Sequence, residues 1–190
     1  MEPAIVMLAV VGLPLLLFAV WLIVNFNRFV RCRTHMRESW ADIDVELKRR
    51  YDLIPNLVEV VKGYAKHERE VLAQIAELRS RAMAPHASAT DRSVDETALA
   101  IGLERVMAVV ENYPDLKADT HFLALQRELA NTEDRLAASR RFYNANVREL
   151  NELAQSFPTN LIAGAFGFEQ ADYFEAHSAK VRTAPDVAMN

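Results

Sequence analysis

The sequence predicts an all-α protein, an antiparallel bundle of long helices on an N-terminal transmembrane helix. Its composition favours helices, since 51% of the 190 residues are hydrophobic and only 5 are glycine and 7 proline. Apolar side chains recur at intervals of three and four over long stretches. No sustained alternation of apolar and polar residues indicates a strand. Finally, the chain opens with an uncharged run, Pro3–Val24.

The uncharged run predicts a membrane anchor over residues 1–27. As a helix, Pro3–Val24 would extend about 33 Å, close to the thickness of the hydrocarbon core. Trp21 and Phe26 follow where aromatic side chains anchor a helix at the interface. A cleaved signal peptide would begin with basic residues and end with small ones. This run has no Lys or Arg before it and asparagines after it, so we expect a retained single-pass anchor.

The charges that flank the run predict its orientation. No Lys or Arg precedes it, whereas four arginines follow it closely: Arg28, Arg31, Arg33 and Arg37. Basic residues favour the cytoplasmic side. The N-terminus is therefore expected outside, and the rest of the chain in the cytoplasm.

The first long helix of the bundle is predicted from about Arg28 to Met83, continuous with the anchor. It carries one apolar stripe: Trp40, Ile43, Leu47, Tyr51, Ile54, Val58, Val61, Ala65, Leu72 and Ile75. Pro55 interrupts the stripe, because proline removes an amide donor and crowds the preceding turn. We expect a bend of more than about 20° or a short break there, with Asp52 capping a restarted helix.

The second helix is predicted from about Val94 to Glu111, after a loop at Ala84–Ser93 in which Asp91 or Ser93 can cap it. Its expected core residues are Val94, Ala98, Ile101, Val109 and Val110. Asn112–Asp115 ends this helix, because Pro114 cannot continue it.

The third helix is predicted from about Leu116 to Ser156 and has the most regular periodicity. Its core positions are Phe122, Leu125, Leu129, Thr132, Leu136, Ser139, Tyr143, Val147, Leu150, Ala154 and Phe157. This stripe implies antiparallel packing on the first helix. Its arginines mostly face solvent: Arg127, Arg135, Arg140, Arg141 and Arg148.

Polar residues beside these stripes leave two interpretations open. Asn56, Asn144 and Asn151 either hydrogen-bond between helices and fix their register or point to solvent.

The apolar segment Thr159–Phe168 allows three interpretations, since it can fold back onto the bundle, touch the bilayer or contact a neighbouring subunit. The expected domains are the anchor, a bundle over 28–168 and a C-terminal tail over 169–190.

The motifs of catalysis and metal binding do not occur in this sequence, so no catalytic, cofactor-binding or metal-ligating residue is predicted. His67-Glu68 begins like a zinc-protease motif, but the second histidine is missing. Cys32 and His35 make one pair, whereas a structural zinc site needs four ligands. No serine stands on a glycine-rich turn and no phosphate-binding loop is present. We therefore expect a protein that is not an enzyme.

Five segments together resemble the LemA family of small bacterial membrane-anchored proteins. They are Lys48–Glu68, Glu111–Asp119, Leu125–Asn151, Phe157–Phe168 and Tyr173–Glu175. The resemblance implies a bundle of long helices on an N-terminal anchor in the bacterial inner (cytoplasmic) membrane. It implies no reaction and no catalytic residues. A related protein acts in building magnetosome membranes and relatives are encoded near membrane proteases, which favours a role in envelope organisation.

Two functions are consistent with these expectations. The first is a scaffold that organises envelope proteins or membrane by forming homo-oligomers or by binding a membrane-protein partner. The second is a monomeric adaptor on the membrane surface that binds anionic lipid or a membrane protease. It is suggested by residues 28–50, where seven basic side chains outnumber four acidic ones. The net charge of −4 argues against a nucleic-acid partner.

Overall fold

The computed structural model describes residues 8–174, with side chains from residue 10 onward. A π-helical turn at Leu8–Gly12 leads into six α-helices, and no strand occurs in this range. The helices are α1 (Leu13–Tyr64), α2 (Arg69–Ala82), α3 (Ala89–Val110), α4 (Pro114–Lys117), α5 (Thr120–Gln155) and α6 (Thr159–Phe166). The predicted all-α class is confirmed.

The chain forms two compact units, and α1 and α5 each contribute to both. Of the described residues, the first unit contains 8–40 and 141–171, and the second contains 41–140 and 172–174. Within each unit α1 and α5 run antiparallel. In the first unit Arg28 pairs with Glu149, and Ser39, later in α1, contacts Asn146, earlier in α5. In the second unit Arg50 pairs with Glu133, and Tyr64, at the end of α1, contacts Asp119, just before α5. The predicted antiparallel bundle is thus confirmed, while the domain boundaries proposed after residues 27 and 168 stay predictions.

Helix α1 corrects two expectations about the first long helix. It runs through Pro55 without a break, so the restarted helix capped by Asp52 was wrong; Pro55 itself is exposed. The size of any bend there stays a prediction. The helix also ends at Tyr64 rather than Met83. After Gly63, a residue of low helix propensity, a polar stretch over residues 66–70 interrupts the apolar stripe.

Helix α3 begins earlier than predicted and buries a different face. Its N-cap is Ser88, whose hydroxyl accepts a hydrogen bond from the Asp91 amide, so neither Asp91 nor Ser93 is the cap. Val94 and Ile101, expected in the core, are exposed. The buried positions are Ser93, Glu96, Leu99, Gly102, Leu103, Val106 and Val110.

Glycine at position 102 allows α2 and α3 to pack closely. A Cβ atom added to Gly102 would lie 2.7 Å from Cδ1 of Leu78 and 3.0 Å from Cδ1 of Ile75. Both atoms belong to α2, so a larger residue at this position would require their side chains to move.

Helix α5 has the predicted apolar stripe but begins at Thr120 rather than at about Leu116. Pro114 starts the separate short helix α4. Asp119 then caps α5, because its carboxylate accepts hydrogen bonds from the amides of His121 and Phe122 at 2.8 and 2.9 Å. Seven of the predicted core positions are buried: Phe122, Leu129, Thr132, Leu136, Tyr143, Val147 and Leu150. Phe157 was wrongly placed in the core, since it is 81% exposed.

Candidate anchoring and binding surfaces

The N-terminal part of α1 presents apolar side chains on all sides. Among the described residues, one helix is long and apolar enough to cross a membrane, and its most apolar window has a mean hydropathy of 2.1 and no buried residue. Leu13, Leu17 and Val24 are 56%, 60% and 58% exposed. A helix that is apolar all round requires an apolar environment. The predicted anchor therefore has the surface that a bilayer requires.

Directly after this stretch, the first unit has an aromatic core that joins α1, α5 and α6. The ring of Phe29 is fully buried and stacks on Phe168, with 4.6 Å between centroids. Phe26 meets Phe166 and Phe168 edge-on at 5.0 and 5.7 Å. The remaining buried members are Cys32, Leu150, Leu153, Ile162 and Ala163. The segment after α5 thus folds back onto α1 within this unit.

The one cysteine of the chain belongs to this core. Burial, together with the Glu149 carboxylate, raises the pKa of the Cys32 thiol. A buried thiol of raised pKa is a poor nucleophile and a poor metal ligand. Its sequence neighbour His35 is exposed and lies 3.0 Å from Glu38. Cys32 and His35 therefore do not form a site.

The three asparagines beside the apolar stripes were expected either to form hydrogen bonds between helices or to point to solvent, and they differ in this respect. Asn151 is buried and holds the chain after α6, because it donates to the Ala171 carbonyl at 2.9 Å and accepts from the Ala171 amide at 2.8 Å. Asn144 is half-buried, whereas Asn56 is exposed. A fourth asparagine, Asn146, donates to the Ser39 hydroxyl at 2.9 Å and links α5 to α1.

The second unit contains a buried ionic cluster that the sequence did not predict. Arg50 has no exposed surface, and its guanidinium donates to the carboxylates of Glu96 and Glu133. The Glu96 side chain is also fully buried, whereas that of Glu133 is 43% exposed. These three residues connect α1, α3 and α5. Buried charges are stable only when they are paired and hydrogen-bonded, so the cluster constrains how the three helices meet.

Tyr51 extends this cluster to α2. Its hydroxyl donates to Glu96 and lies 3.0 Å from the Ala82 carbonyl oxygen, and its own carbonyl accepts a 2.7 Å hydrogen bond from Arg79. Burial and the hydrogen bond to the Glu96 carboxylate raise the pKa of the Tyr51 phenol. The phenol therefore stays protonated and keeps its donor role at neutral pH.

Arg140, one of the arginines of α5 that were expected to face solvent, is half-buried. Burial, assisted by the nearby Arg50 charge, lowers the pKa of Arg140. Its guanidinium carbon lies 4.8 Å from the centre of the Phe174 ring, a cation–π contact. Arg127, Arg135, Arg141 and Arg148 are exposed as predicted.

The burial of Arg50 weakens the basic segment that was expected to attract anionic lipid. Without it, residues 28–49 have six basic and four acidic side chains. Arg28 is further neutralised by Glu149 at 3.1 Å, and Arg49 lies 3.8 Å from Glu46. By these counts residues 28–49 have a net charge of +2, whereas residues 28–50 have a net charge of +3.

An open groove lies between α3 and α5 in the second unit, with a volume of about 490 Å³. Its floor is apolar, formed by Leu103, Met107 and Leu129, and three alanines leave room along its walls: Ala100, Ala108 and Ala130. Glu104, Glu111 and Glu133 also line it. Glu133 shares the single charge of Arg50 with Glu96, and Glu104 and Glu111 add two further carboxylates, so the rim has a net negative charge. This combination suits an amphipathic helix with basic flanks.

The residues of the incomplete zinc-protease motif lie in the connection between α1 and α2. Among residues 8–174, no group of three or more His, Cys, Asp or Glu side chains is placed to hold a metal ion. His67 is exposed in the connection between α1 and α2, and Glu68 lies 3.4 Å from the Tyr113 hydroxyl. The features that the structure brings together are apolar surfaces and a structural ionic cluster.

Comparison with known proteins places the chain in a family. The family model described as "LemA family" matches residues 39–189. Magnetosome protein MamQ of Magnetospirillum gryphiswaldense is 24% identical over 93% of this chain and 74% of its own length. Protein LemA of Metamycoplasma hominis is 26% identical over 79% of this chain and 68% of its own length. The family match covers 151 of the 190 residues, and the chain therefore belongs to the LemA family.

Proposed function

We propose that this protein is a membrane-anchored scaffold of the bacterial inner membrane, which holds an envelope protein at the bilayer by binding one of its helices. The groove between α3 and α5 is the observation that carries this proposal. Its apolar floor and alanine walls leave space for a helix, and it belongs to a chain whose N-terminal helix suits a bilayer. The similarity to a protein named as a magnetosome protein, MamQ, supports a role at a membrane.

The charge of the groove determines which partner we propose. Glu104 and Glu111 are both exposed. Two copies of the chain that met groove to groove would bring these carboxylates together, which is unfavourable. A partner helix with Lys or Arg beside its apolar face would instead pair with them. Binding of a partner is therefore favoured over self-association at this surface.

The adaptor function has less support from the structure. It depends on a basic segment near the membrane, and the burial of Arg50 removes one of the charges in that segment. The scaffold function does not depend on these charges.

A photo-crosslinking experiment in living cells tests this proposal. A photoreactive amino acid replaces Ala130, which lies in the groove, or Ala145, which is exposed on the same helix outside it. We expect an adduct with one membrane protein from position 130 and none from position 145. Replacing Glu104 and Glu111 with lysine should reduce the adduct about tenfold or more, because each lost charge pair weakens binding by about 1 kcal/mol.

An adduct only between two copies of the chain would favour self-assembly over partner binding. An adduct that is insensitive to charge reversal, or equal from both alanine positions, would contradict the groove as the binding surface.

A further inference from the structure

Helix α6 lies beside the anchor and exposes large apolar side chains. Leu161 and Phe166 are 64% and 51% exposed, and Phe157, just before the helix, is 81% exposed. No charged residue occurs anywhere between Glu152 and Glu169. Large apolar side chains that cluster on a surface mark a site of interaction.

The buried side chains of α6 fix the helix on the core of the first unit. Thr159, Ile162 and Ala163 are buried, and Phe168 is stacked on Phe29 just beyond the helix. The Thr159 hydroxyl donates to the carbonyls of Leu153 and Ser156 at 2.7 and 2.9 Å. The helix therefore cannot rotate its exposed side chains inward without losing this packing.

The contacts of α6 place it level with the end of the apolar stretch of α1. Phe166 touches Phe26, and Trp21 packs against the same core. At 1.5 Å per residue, Trp21 and Phe29 are separated by about 12 Å along the helix axis. This interval contains the aromatic residues at the boundary of the predicted anchor and its first arginine, Arg28.

We propose that α6 lies in the membrane interface, with Leu161, Phe166 and Phe157 inserted among the acyl chains of the leaflet that surrounds the end of the anchor. The occupant of this face is lipid, because the face is continuous with the exposed apolar surface of α1 through the contact between Phe26 and Phe166. Eight residues are too few to span a bilayer, so α6 lies along its surface. The polar chain after it, from Glu169, leaves the membrane again.

This arrangement gives the chain a second membrane contact beside its anchor. A single transmembrane helix can tilt and rotate, and its orientation is set by packing and by interfacial anchors. With α6 held against α1 and inserted at the same level, the first unit is expected to have one fixed orientation relative to the bilayer.

Spin-label accessibility in proteoliposomes of phosphatidylcholine tests the inference, which rests on the anchoring step of the proposed function. In a Cys32→Ser background, the full chain carries a single label at Leu161→Cys or Phe166→Cys. Leu17→Cys in the anchor and Ala145→Cys on the exposed side of α5 are the controls. The relaxation of each label is then measured with oxygen, which partitions into the bilayer, and separately with a nickel chelate, which stays in water.

We expect the labels at 161 and 166 to relax at least fivefold faster with oxygen than with nickel, as at position 17 and opposite to position 145. Labels at 161 and 166 that favour nickel, with position 17 still favouring oxygen, would overturn the inference and leave the anchor intact. Labels shielded from both agents would mean that protein covers the face, which also overturns it. Loss of the oxygen preference at position 17 would contradict the anchor and the inference together.

Discussion

Replacing Arg50 with methionine is expected to lower the free energy of unfolding by about 3–5 kcal/mol. Arg50 and the carboxylate of Glu96 are both fully buried, so the variant leaves a negative charge in the interior without its partner. Tyr51 alone cannot compensate this charge, although its hydroxyl still donates to Glu96. Urea titration of the full chain in a mild detergent, followed by circular dichroism, measures the change.

The neighbouring residue provides a matched control. Arg49 is on the same turn but its side chain is 41% exposed, with a 3.8 Å contact to Glu46. Arg49→Met should change stability by less than about 1 kcal/mol. Adding Glu96→Leu to Arg50→Met should recover much of the loss, because the buried charge is then absent. Equal effects of the two arginine variants would show that the ionic cluster does not stabilise the second unit.

Replacing Phe29 with alanine is expected to destabilise the first unit by about 3–5 kcal/mol. Its ring is fully buried, and it is the side chain on which Phe168 stacks. The cavity left behind would remove the main support of the segment after α6. Hydrogen exchange measured by mass spectrometry on the detergent-purified full chain should show amides of residues 150–168 exchanging about a hundredfold faster or more.

An exposed phenylalanine of the same unit serves as the control. Phe142 is 69% exposed on α5, and Phe142→Ala should change exchange in residues 150–168 by less than about threefold, within the usual range for surface substitutions. If Phe29→Ala left these amides as protected as Phe142→Ala does, the aromatic core would not be what holds α6.

The long helices were predictable because their periodicity is nearly complete. On α5, most positions of the stripe from Phe122 to Leu150 are buried in the structure, since one apolar residue per turn defines a face. The apolar stripe of α1 likewise continues past Pro55, since Ile54, Leu57 and Val61 are all buried. The polar residues 66–70 indicate the end of α1. The apolar stripe resumes at Leu72, however, and this led to the prediction of one uninterrupted helix.

Helix α3 was mispredicted because its core face begins with polar residues. Ser93 and Glu96 share a face with Leu99, Leu103 and Val106, yet a reading based on hydrophobicity assigns such residues to solvent. A buried glutamate requires a partner, and that partner is Arg50, 46 residues earlier in the chain. No local pattern links these two positions.

The candidate surfaces could be predicted only in part. The anchor is legible because its signal is local, an uncharged run of membrane length. Of the three apolar residues that form the floor of the groove, only Leu129 was predicted, and it was predicted as a core position of α5. The exposure of Leu161 and Phe166 depends on which side of α6 packs on Phe29, and this requires the three-dimensional contacts of the first unit.

Alkaline carbonate extraction of membranes from cells that express the full chain tests the membrane anchor most directly. The wild-type protein should stay in the membrane pellet, as should a Leu13→Ala, Leu17→Ala control. Leu13→Lys with Leu17→Lys should move it to the supernatant, because each lysine near the middle of the span costs about 2.5–3.5 kcal/mol of insertion free energy. Release of the wild-type chain by carbonate would contradict the anchor, and with it the proposed scaffold.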